Sequence, residues 1–210
     1  MFKPAMKIMK NQMQTETMET APAGSPAGIS MEDSEEQALV AGCRRGDSDS
    51  LKRLMVIHSS GVLHLLQNIV GDPSAAEALA QEAFFKAFQN ISRFKDGTNL
   101  RVWLFTIARN TALDHLRREK RSRVRNVDLE GVPELEDTNM EPASEFEKKE
   151  ESARIREAVD ELPRLEREVV FLRIFEALTW DAISDILKVP EATVRSWMNR
   201  ALSRLRITLG

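Results

Sequence analysis

The sequence predicts an all-α protein of two small helical domains, joined by a flexible acidic linker, with a helix-turn-helix in the C-terminal domain. Its 210 residues are 42% hydrophobic and 30% charged, which suits a chain that buries a core. Leu, Ala, Glu and Arg, which favour helices, are frequent. Apolar residues recur at helical spacing over 34–122 and 149–210, whereas 123–148 has few of them and is strongly acidic.

Residues 1–33 are rich in Met, Thr, Pro, Ala, Gly and Ser and lack apolar periodicity, so they predict a disordered tail. The chain shows no cleavable export signal, and no window approaches the roughly 18 to 20 apolar residues of a membrane span. We therefore expect a cytoplasmic protein without membrane insertion.

Cysteine and histidine usage argues against a metal centre. Cys43 is the only cysteine, which excludes an internal disulfide, and the three histidines show no zinc-site spacing. On its apolar helix stripe, Cys43 is expected to be a small core residue, with a redox sensor as the rarer alternative. The sequence predicts neither a metal nor a cofactor.

Glycine, aspartate and proline mark the ends of the helices in the first domain. The apolar pattern is interrupted at 46–47, 71–73 and 96–99. Asp72 is placed to cap a helix that begins at Pro73 and runs to about residue 90, since a proline there lacks only an N–H that would be unpaired anyway. A further helix is expected over about 100–118.

The second domain contains the pattern of a helix-turn-helix. Pro163 separates its first two helices. Thr179 can then cap a helix, 188–190 form a three-residue turn, and Pro190 suits the first turn of the last helix. The inward stripe of that helix consists of Val194, Trp197, Ala201, Leu202 and Leu205. Its outward stripe consists of Arg195, Ser196, Asn199, Arg200 and Ser203.

The outward stripe is typical of side chains that read bases in a DNA groove. Arginine can form two hydrogen bonds with guanine through its forked guanidinium group, and asparagine can hydrogen-bond adenine. Arg204 is better placed to contact phosphates. The net charge of −3 is a sum over the whole chain, and two segments are strongly basic. Residues 117–125 contain six basic residues and one acidic residue, and residues 188–206 contain five basic residues and one acidic residue. A solvated face of a structural helix hairpin is the alternative, which this segment alone leaves open.

A second candidate surface lies in the first domain. The outer face of the helix over 100–118 carries Arg109, Asn110, Arg117 and Arg118. Next to them lie Phe94 and the polar loop 95–99, and aromatic and amide groups beside a basic helix suit unstacked bases. The alternative is a merely solvated helix end, with Trp103 in the core.

Several short motifs follow one another in a specific order. They are Arg44-Arg45-Gly46-Asp47, Gly71-Asp72-Pro73, Gln81-Glu82-Ala83-Phe84, Arg93-Phe94, the run 103–110, Leu162-Pro163 and the closing helix-turn-helix. Their joint order and spacing, over about 35–208, resemble those of the extracytoplasmic-function sigma factors of bacterial RNA polymerase. The resemblance implies a sigma factor that binds core RNA polymerase, recognises and opens specific promoters, and starts transcription of a stress or envelope regulon.

The resemblance also implies roles for the two domains. Residues 34–122 would bind polymerase and the minus-ten element, and residues 149–210 would recognise the minus-thirty-five element. Polymerase contacts would come from Glu77, Gln81 and Glu82. The minus-ten element, with its flipped non-template base, would be bound by Phe94, Thr98, Asn99, Asn110, Arg117, Arg118 and Arg121. The minus-thirty-five element would be bound by Arg195, Ser196, Asn199, Arg200 and Arg204. No bond is made or broken, so the resemblance implies that the protein is not an enzyme.

Three positions depart from the family pattern. One is Trp197, a bulky residue in the reading helix that can displace the base-contacting side chains. Ala78 stands where an acidic residue usually precedes the leucine of the polymerase-binding helix. Lys188 stands where the turn of the helix-turn-helix usually has glycine, and lysine can adopt a left-handed conformation at a modest cost.

The acidic linker has two interpretations. Its composition predicts a self-repelling tether. In family members the corresponding segment threads the RNA path of the polymerase, where its charge would complement a basic channel. The family also implies an anti-sigma partner, which no residue here identifies.

Two other classes of protein compete with this interpretation. A helix-turn-helix repressor or activator that works without polymerase explains the last helix, but not the arrangement of Phe94, Trp103 and Asn110. A hydrolase or kinase ranks lower, because the sequence lacks a Gly-rich phosphate loop, HExxH, GxSxG and CxxC.

Overall fold

The computed structural model describes residues 33–125 and 154–209, and within these two stretches the chain is helical, with no strand. The helices are α1 (Asp33–Arg44), α2 (Ser48–Val70), α3 (Pro73–Asn90), α4 (Leu100–Arg125), α5 (154–160), α6 (Arg164–Val170), α7 (Trp180–Leu187) and α8 (Glu191–Leu209). A 3₁₀ turn, Ile91–Arg93, follows α3, and a π-helical turn, Phe171–Phe175, continues α6. The all-α prediction is confirmed. Most of the predicted tail and of the predicted linker lies outside the described residues.

The helices of the first domain begin and end as their sequence dictates. Asp72 caps α3 by accepting a hydrogen bond from the backbone N–H of Ser74 at 2.9 Å, and Pro73 opens the helix. Gly71 ends α2 in the left-handed conformation, with φ 78°. Cys43 is buried, as expected for a core residue. The core between α2, α3 and α4 includes the fully buried Leu65, Leu66, Leu104 and Phe105.

The helix α4 is longer than the sequence pattern predicts. It continues to Arg125 instead of ending near Arg118, so the predicted linker begins with helical residues. Arginine and lysine are good helix formers, and 119–125 contains neither glycine nor proline. The ion pair between Asp114 and Arg117, at 2.9 Å, adds local support. The apolar stripe ends before the helix does.

The helix-turn-helix prediction is confirmed. Thr179 caps α7 by accepting a hydrogen bond from the N–H of Ala182 at 3.3 Å. Lys188 takes the left-handed conformation, with φ 57°, and its N–H donates to the carbonyl of Ser184 at 2.8 Å. The Ser184 hydroxyl donates to the carbonyl of Val189 at 2.6 Å, which closes the turn before α8.

Replacing Lys188 by glycine should stabilise the protein. A left-handed residue with a Cβ is strained, and glycine removes the strain while losing some chain entropy, so the expected gain is roughly 0.5–1 kcal/mol. Lys52→Gly, in the second turn of α2, is the control and should destabilise by about 1 kcal/mol. Urea denaturation followed by circular dichroism measures both, and a loss of stability in Lys188→Gly would contradict the strain argument.

The two domains meet at a contact that α2 and α4 form with α6, α7 and the π-helical turn, which we call the interdomain contact. Arg109 on α4 donates from Nε to Oε2 of Glu168 at 2.7 Å, and both side chains are buried. Arg101 forms an ion pair with Glu176. Gly61 permits this approach, since a Cβ there would lie 2.9 Å from Oε1 of Glu176. The prediction that Arg109 lies on the outer face of its helix is therefore wrong.

A histidine near this contact makes stability depend on pH. Burial, together with the nearby charge of Arg101, lowers the pKa of His58 from 6.5 to about 4. The unfolded chain binds a proton that the folded chain does not, so stability is full above pH 6.5 and falls as the pH drops towards 4. The expected loss at the lower end is on the order of 3 kcal/mol.

Urea denaturation at several pH values tests this dependence. Carboxylates also titrate in this range, so the informative quantity is the difference between the wild type and His58→Gln. The variant should lose less stability on acidification. Equal losses in the two proteins would show that His58 does not carry the effect.

Candidate nucleic-acid interface

The helix-turn-helix presents all five of its predicted DNA-binding residues on one exposed face of α8. Arg195, Ser196, Asn199, Arg200 and Arg204 line an open groove with Ala192, Ser203 and Ile207. The opposite face contributes Val194, Met198, Ala201 and Leu205 to the core. Trp197 is half-buried against that core, so its bulky ring is absent from the groove lining.

Arg195 is held in place by two neighbours. Its Nε donates to Oε1 of Glu191, one turn earlier on α8, at 2.7 Å. Its guanidinium also lies 4.8 Å from the ring centre of Trp180 on α7, and the guanidinium of Arg173 lies 4.5 Å from the same ring. A side chain that is ordered beforehand loses less entropy when it binds a partner. The four-residue spacing of Glu191 and Arg195 indicates their ion pair from the sequence alone. The contact of Arg195 with Trp180 joins two helices and is not visible in the sequence.

A buried carboxylate lies beneath the other arginines of this face. Glu166 on α6 is 5% exposed, and its Oε2 lies 3.1 Å from Nε of Arg204. Its Oε1 lies 3.8 Å from Nε of Arg200. Both arginines remain exposed, so Glu166 attracts their guanidinium groups while leaving them accessible to solvent. Sequence reasoning missed Glu166 because its partners lie on another helix.

In the first domain, the loop before α4 places its polar side chains in solvent and its aromatic ring inside. Thr98 and Asn99 are exposed, and Oδ1 of Asn99 caps α4 by accepting from the N–H of Val102 at 3.1 Å. Phe94, in contrast, is 4% exposed and packs edge-on against Trp103, with 5.4 Å between ring centres. In this conformation Phe94 supports the loop and offers no free ring face.

Arg44 at the end of α1 braces the same loop. Its Nη2 donates to the carbonyl of Phe94 at 2.5 Å, and its Nη1 donates to Asp96 at 3.0 Å. The sequence motif contained Arg44, yet reasoning from sequence gave it no role. The bracing joins two segments that are far apart in the chain, so only the fold reveals it.

Polar and basic residues form a stripe along α4. Asn110, Arg117, Arg118 and Arg121 are all exposed. Steps of 7 and 11 residues are close to whole helical turns, so Asn99, Asn110, Arg117 and Arg121 lie within about 20° of one line along the helix. We call these four residues the α4 stripe. It combines two amide groups with two guanidinium groups on one accessible side.

The predicted polymerase-binding residues lie on α3. Glu77 and Gln81 are exposed, while Glu82 is half-buried. Oε1 of Glu82 forms an ion pair with Nζ of Lys86 at 2.7 Å. Phe85, one turn after Gln81, is 61% exposed. The sequence analysis did not single out Phe85. The signal was present, because Phe85 is an aromatic residue at a polar position of an amphipathic helix. A large exposed aromatic side chain is typical of protein-binding surfaces.

The described residues hold no group of three or more His, Cys, Asp or Glu side chains placed to bind a metal ion. Among the described helices, none is both long and apolar enough to cross a membrane.

A helix-turn-helix with an arginine-rich exposed face, together with a separate stripe of amides and arginines, is typical of a helical DNA-binding protein. Comparison with known families agrees with this class. Residues 54–122 match the family described as Sigma-70 region 2, and residues 152–205 match Sigma-70, region 4.

Individual relatives match over most of their length. The chain is 33% identical to the RNA polymerase sigma-H factor of Pseudomonas aeruginosa over 174 residues, covering 80% of this chain and 90% of the relative. It is 27% identical to the ECF RNA polymerase sigma factor SigW of Bacillus subtilis over 169 residues, covering 78% and 90%. The chain therefore belongs to the extracytoplasmic-function class of the sigma-70 family, and it is a promoter-recognising transcription initiation factor.

Two solved structures share the fold. The sigma factor RpoE in complex with the anti-sigma factor NepR, from Bartonella quintana, has a TM-score of 0.62 at 21% identity, covering 75% of this chain and 95% of that chain. CnrH in complex with the cytosolic domain of CnrY has a TM-score of 0.59 at 18% identity, covering 82% and 96%.

Proposed function

We propose that this sigma factor divides promoter recognition between its two domains. The α4 stripe, together with Thr98 and Arg118, binds the minus-ten element as a single strand. The exposed face of α8 binds the minus-thirty-five element as a duplex. The observation that carries this proposal is the placement of both sets on accessible faces, each combining amides with arginines.

The chemistry of each surface suits its proposed target. Opening a promoter exposes bases, and extruding one costs a few kcal/mol of stacking that binding must offset. Asn110 can hydrogen-bond an extruded base, and the arginines beyond it can hold the neighbouring phosphates. Phe94 keeps a supporting role in this proposal, because its ring is buried. The protein thus acts by binding and makes or breaks no bond.

Core RNA polymerase is the proposed partner of α3. Glu77, Gln81 and Phe85 share the exposed side of that helix, and Glu82 lies beside them. An aromatic anchor among polar residues resembles the energetic centre of many interfaces. Ala78, also exposed, takes the place of a family acidic residue without blocking this side.

The double variant Gln81→Ala, Phe85→Ala should therefore lose polymerase affinity by on the order of tenfold or more. Co-elution of the full chain with core polymerase on a sizing column measures this. Gln37→Ala with Val56→Ala is the matched control, since it also removes one exposed amide and one exposed apolar side chain. Equal loss in both pairs would place the polymerase contact elsewhere.

Two further partnerships follow from the family. We propose that an anti-sigma factor binds this chain and keeps it inactive, as NepR and CnrY accompany the two solved relatives.

We also propose a stress or envelope regulon, with the factor acting in the cytoplasm beside the polymerase. Start sites mapped with a genomic promoter library identify the regulon, and start sites confined to housekeeping genes would contradict it.

The rival function, a repressor or activator independent of polymerase, rests on the helix-turn-helix alone. It predicts tight duplex binding by the free chain, with the logarithm of affinity falling by about 0.9 per contacted phosphate for each unit of log salt. The sigma factor proposal predicts weak duplex binding until polymerase is present. Fluorescence anisotropy at several salt concentrations separates the two.

A further inference from the structure

The loop 95–99 exposes its side chains while its backbone is held in place. Phe94 and Leu100, which flank the loop, are buried, whereas every residue between them is exposed. Within the loop, the carbonyl of Lys95 accepts hydrogen bonds from the backbone N–H of Thr98 at 3.2 Å and from its hydroxyl at 2.6 Å. Such a loop presents its side chains in one geometry, provided that its two ends are fixed.

Two polar residues of α1 fix these two ends. At the start of the loop, Nη2 of Arg44 donates to the carbonyl of Phe94 at 2.5 Å, and Nη1 donates to Asp96 at 3.0 Å. At its end, Oε1 of Glu36 accepts a hydrogen bond from the N–H of Leu100 at 3.2 Å. Leu100 is the first residue of α4, so this carboxylate lies at a helix N-terminus, where a negative charge is stabilising. One helix therefore restrains the loop from both sides.

The helix α1 is itself anchored in the core of the first domain. Leu39, Val40 and Cys43 are buried, and α1 packs on α2 and on the 3₁₀ turn that follows α3. Glu36 and Arg44 lie on either side of this apolar segment, about 12 Å apart along the helix. The ends of the loop are thus connected to the core through α1.

We propose that Arg44 and Glu36 are positioning residues for recognition of the minus-ten element, because they hold Thr98 and Asn99 in the geometry that accepts the opened strand. The proposal rests on the proposed function, which assigns these two side chains to that element. A loop that is ordered beforehand loses less entropy when a strand binds. Fixed hydrogen-bonding groups also distinguish one base from another, whereas a mobile loop adapts to several bases.

Hydrogen exchange of the free, full-length chain, followed by mass spectrometry, tests the restraint itself. In Arg44→Ala and in Glu36→Ala, peptides that cover 94–100 should exchange on the order of tenfold faster, because a charged hydrogen bond to the loop is lost. Peptides from α3 should exchange as in the wild type, which shows that the loosening is local. Arg45→Ala and Glu35→Ala remove the same charges from adjacent exposed positions and should leave the loop protected.

Promoter discrimination tests the consequence for function. Holoenzyme is assayed for opening on promoters that carry each of the four bases at every minus-ten position. Arg44→Ala should open the preferred promoter on the order of tenfold more slowly, and its preference over the other bases should fall by a similar factor. Arg45→Ala should keep the wild-type preference. A variant that was only less stable would lower the rate on every promoter by the same factor.

A double-mutant cycle shows whether Arg44 acts through the loop. Asp96→Ala removes one of the two acceptors of Arg44, so its defect should be smaller than that of Arg44→Ala. The double variant Arg44→Ala, Asp96→Ala should be no worse than Arg44→Ala alone, because the two side chains contribute to one contact. Additive defects would place the action of Arg44 elsewhere and overturn the proposal.

The two measurements separate this proposal from the proposed function. Unchanged exchange of 94–100 in Arg44→Ala and Glu36→Ala would overturn the positioning role, as would equal slowing of Arg44→Ala on every promoter. Faster exchange of 94–100 with unchanged opening and unchanged base preference would instead overturn the assignment of the loop to the minus-ten element.

Discussion

Alanine at both Arg195 and Asn199 is expected to abolish recognition of the upstream promoter element. Each side chain is placed to read a base edge, and each such contact contributes about 1–3 kcal/mol of discrimination, so the double variant should lose at least about thirtyfold in affinity. The loss should depend on sequence, because mutating the bases that these residues read should no longer matter to the variant. Binding of holoenzyme to promoter variants, measured by filter retention, provides the comparison.

Arg154→Ala is the control for this loss. Arg154 is an exposed arginine of the same domain, on α5, and its removal changes the net charge without altering the α8 face. Its effect should be small and the same for every promoter sequence. If the α8 variant weakened all promoters equally, Arg195 and Asn199 would be contributing sequence-independent contacts and not base recognition.

Asn110→Ala is expected to impair opening at the minus-ten element while leaving upstream recognition intact. The amide is exposed at the centre of the α4 stripe, and losing its hydrogen bond to an extruded base should cost about 1–3 kcal/mol, which corresponds to roughly fivefold to 150-fold slower opening. Permanganate footprinting of unpaired thymines measures opening. A template with a pre-melted minus-ten segment should restore much of the lost activity.

The matched control is Gln37→Ala, which removes an exposed amide from α1. It should open promoters at the wild-type rate. Weaker co-elution of Asn110→Ala with core polymerase, in the absence of DNA, would mean that Asn110 acts on polymerase binding and not on the opened strand.

Local features of the fold were predictable from the sequence because they depend on neighbours in the chain. The Asp72 cap, the left-handed Lys188 and the outward face of α8 all follow from spacing within a few residues. The family resemblance then supplied the target of each face only by analogy, and the structure adds which side chains are accessible. Phe94 shows the difference, since the sequence indicated an aromatic ring available to unstacked bases and the structure buries that ring.

Features that depend on distant partners were not predictable. Arg109 shares the amphipathic pattern of an exposed arginine, and only Glu168, 59 residues away, explains its burial. Glu166 looked like one more solvated carboxylate, yet it organises two arginines of α8. Helical periodicity describes one helix at a time, so it cannot reveal which charged residue will be paired across two helices.

We propose that this chain starts transcription by bringing core polymerase to promoters that it recognises through both domains. The measurement for this proposal is run-off transcription with core polymerase, the purified full-length chain and a genomic promoter library. We expect co-elution with the polymerase and new start sites whose use drops with Asn110→Ala and with Arg195→Ala, Asn199→Ala. No co-elution, with tight salt-dependent binding of the free chain to duplex DNA, would contradict it.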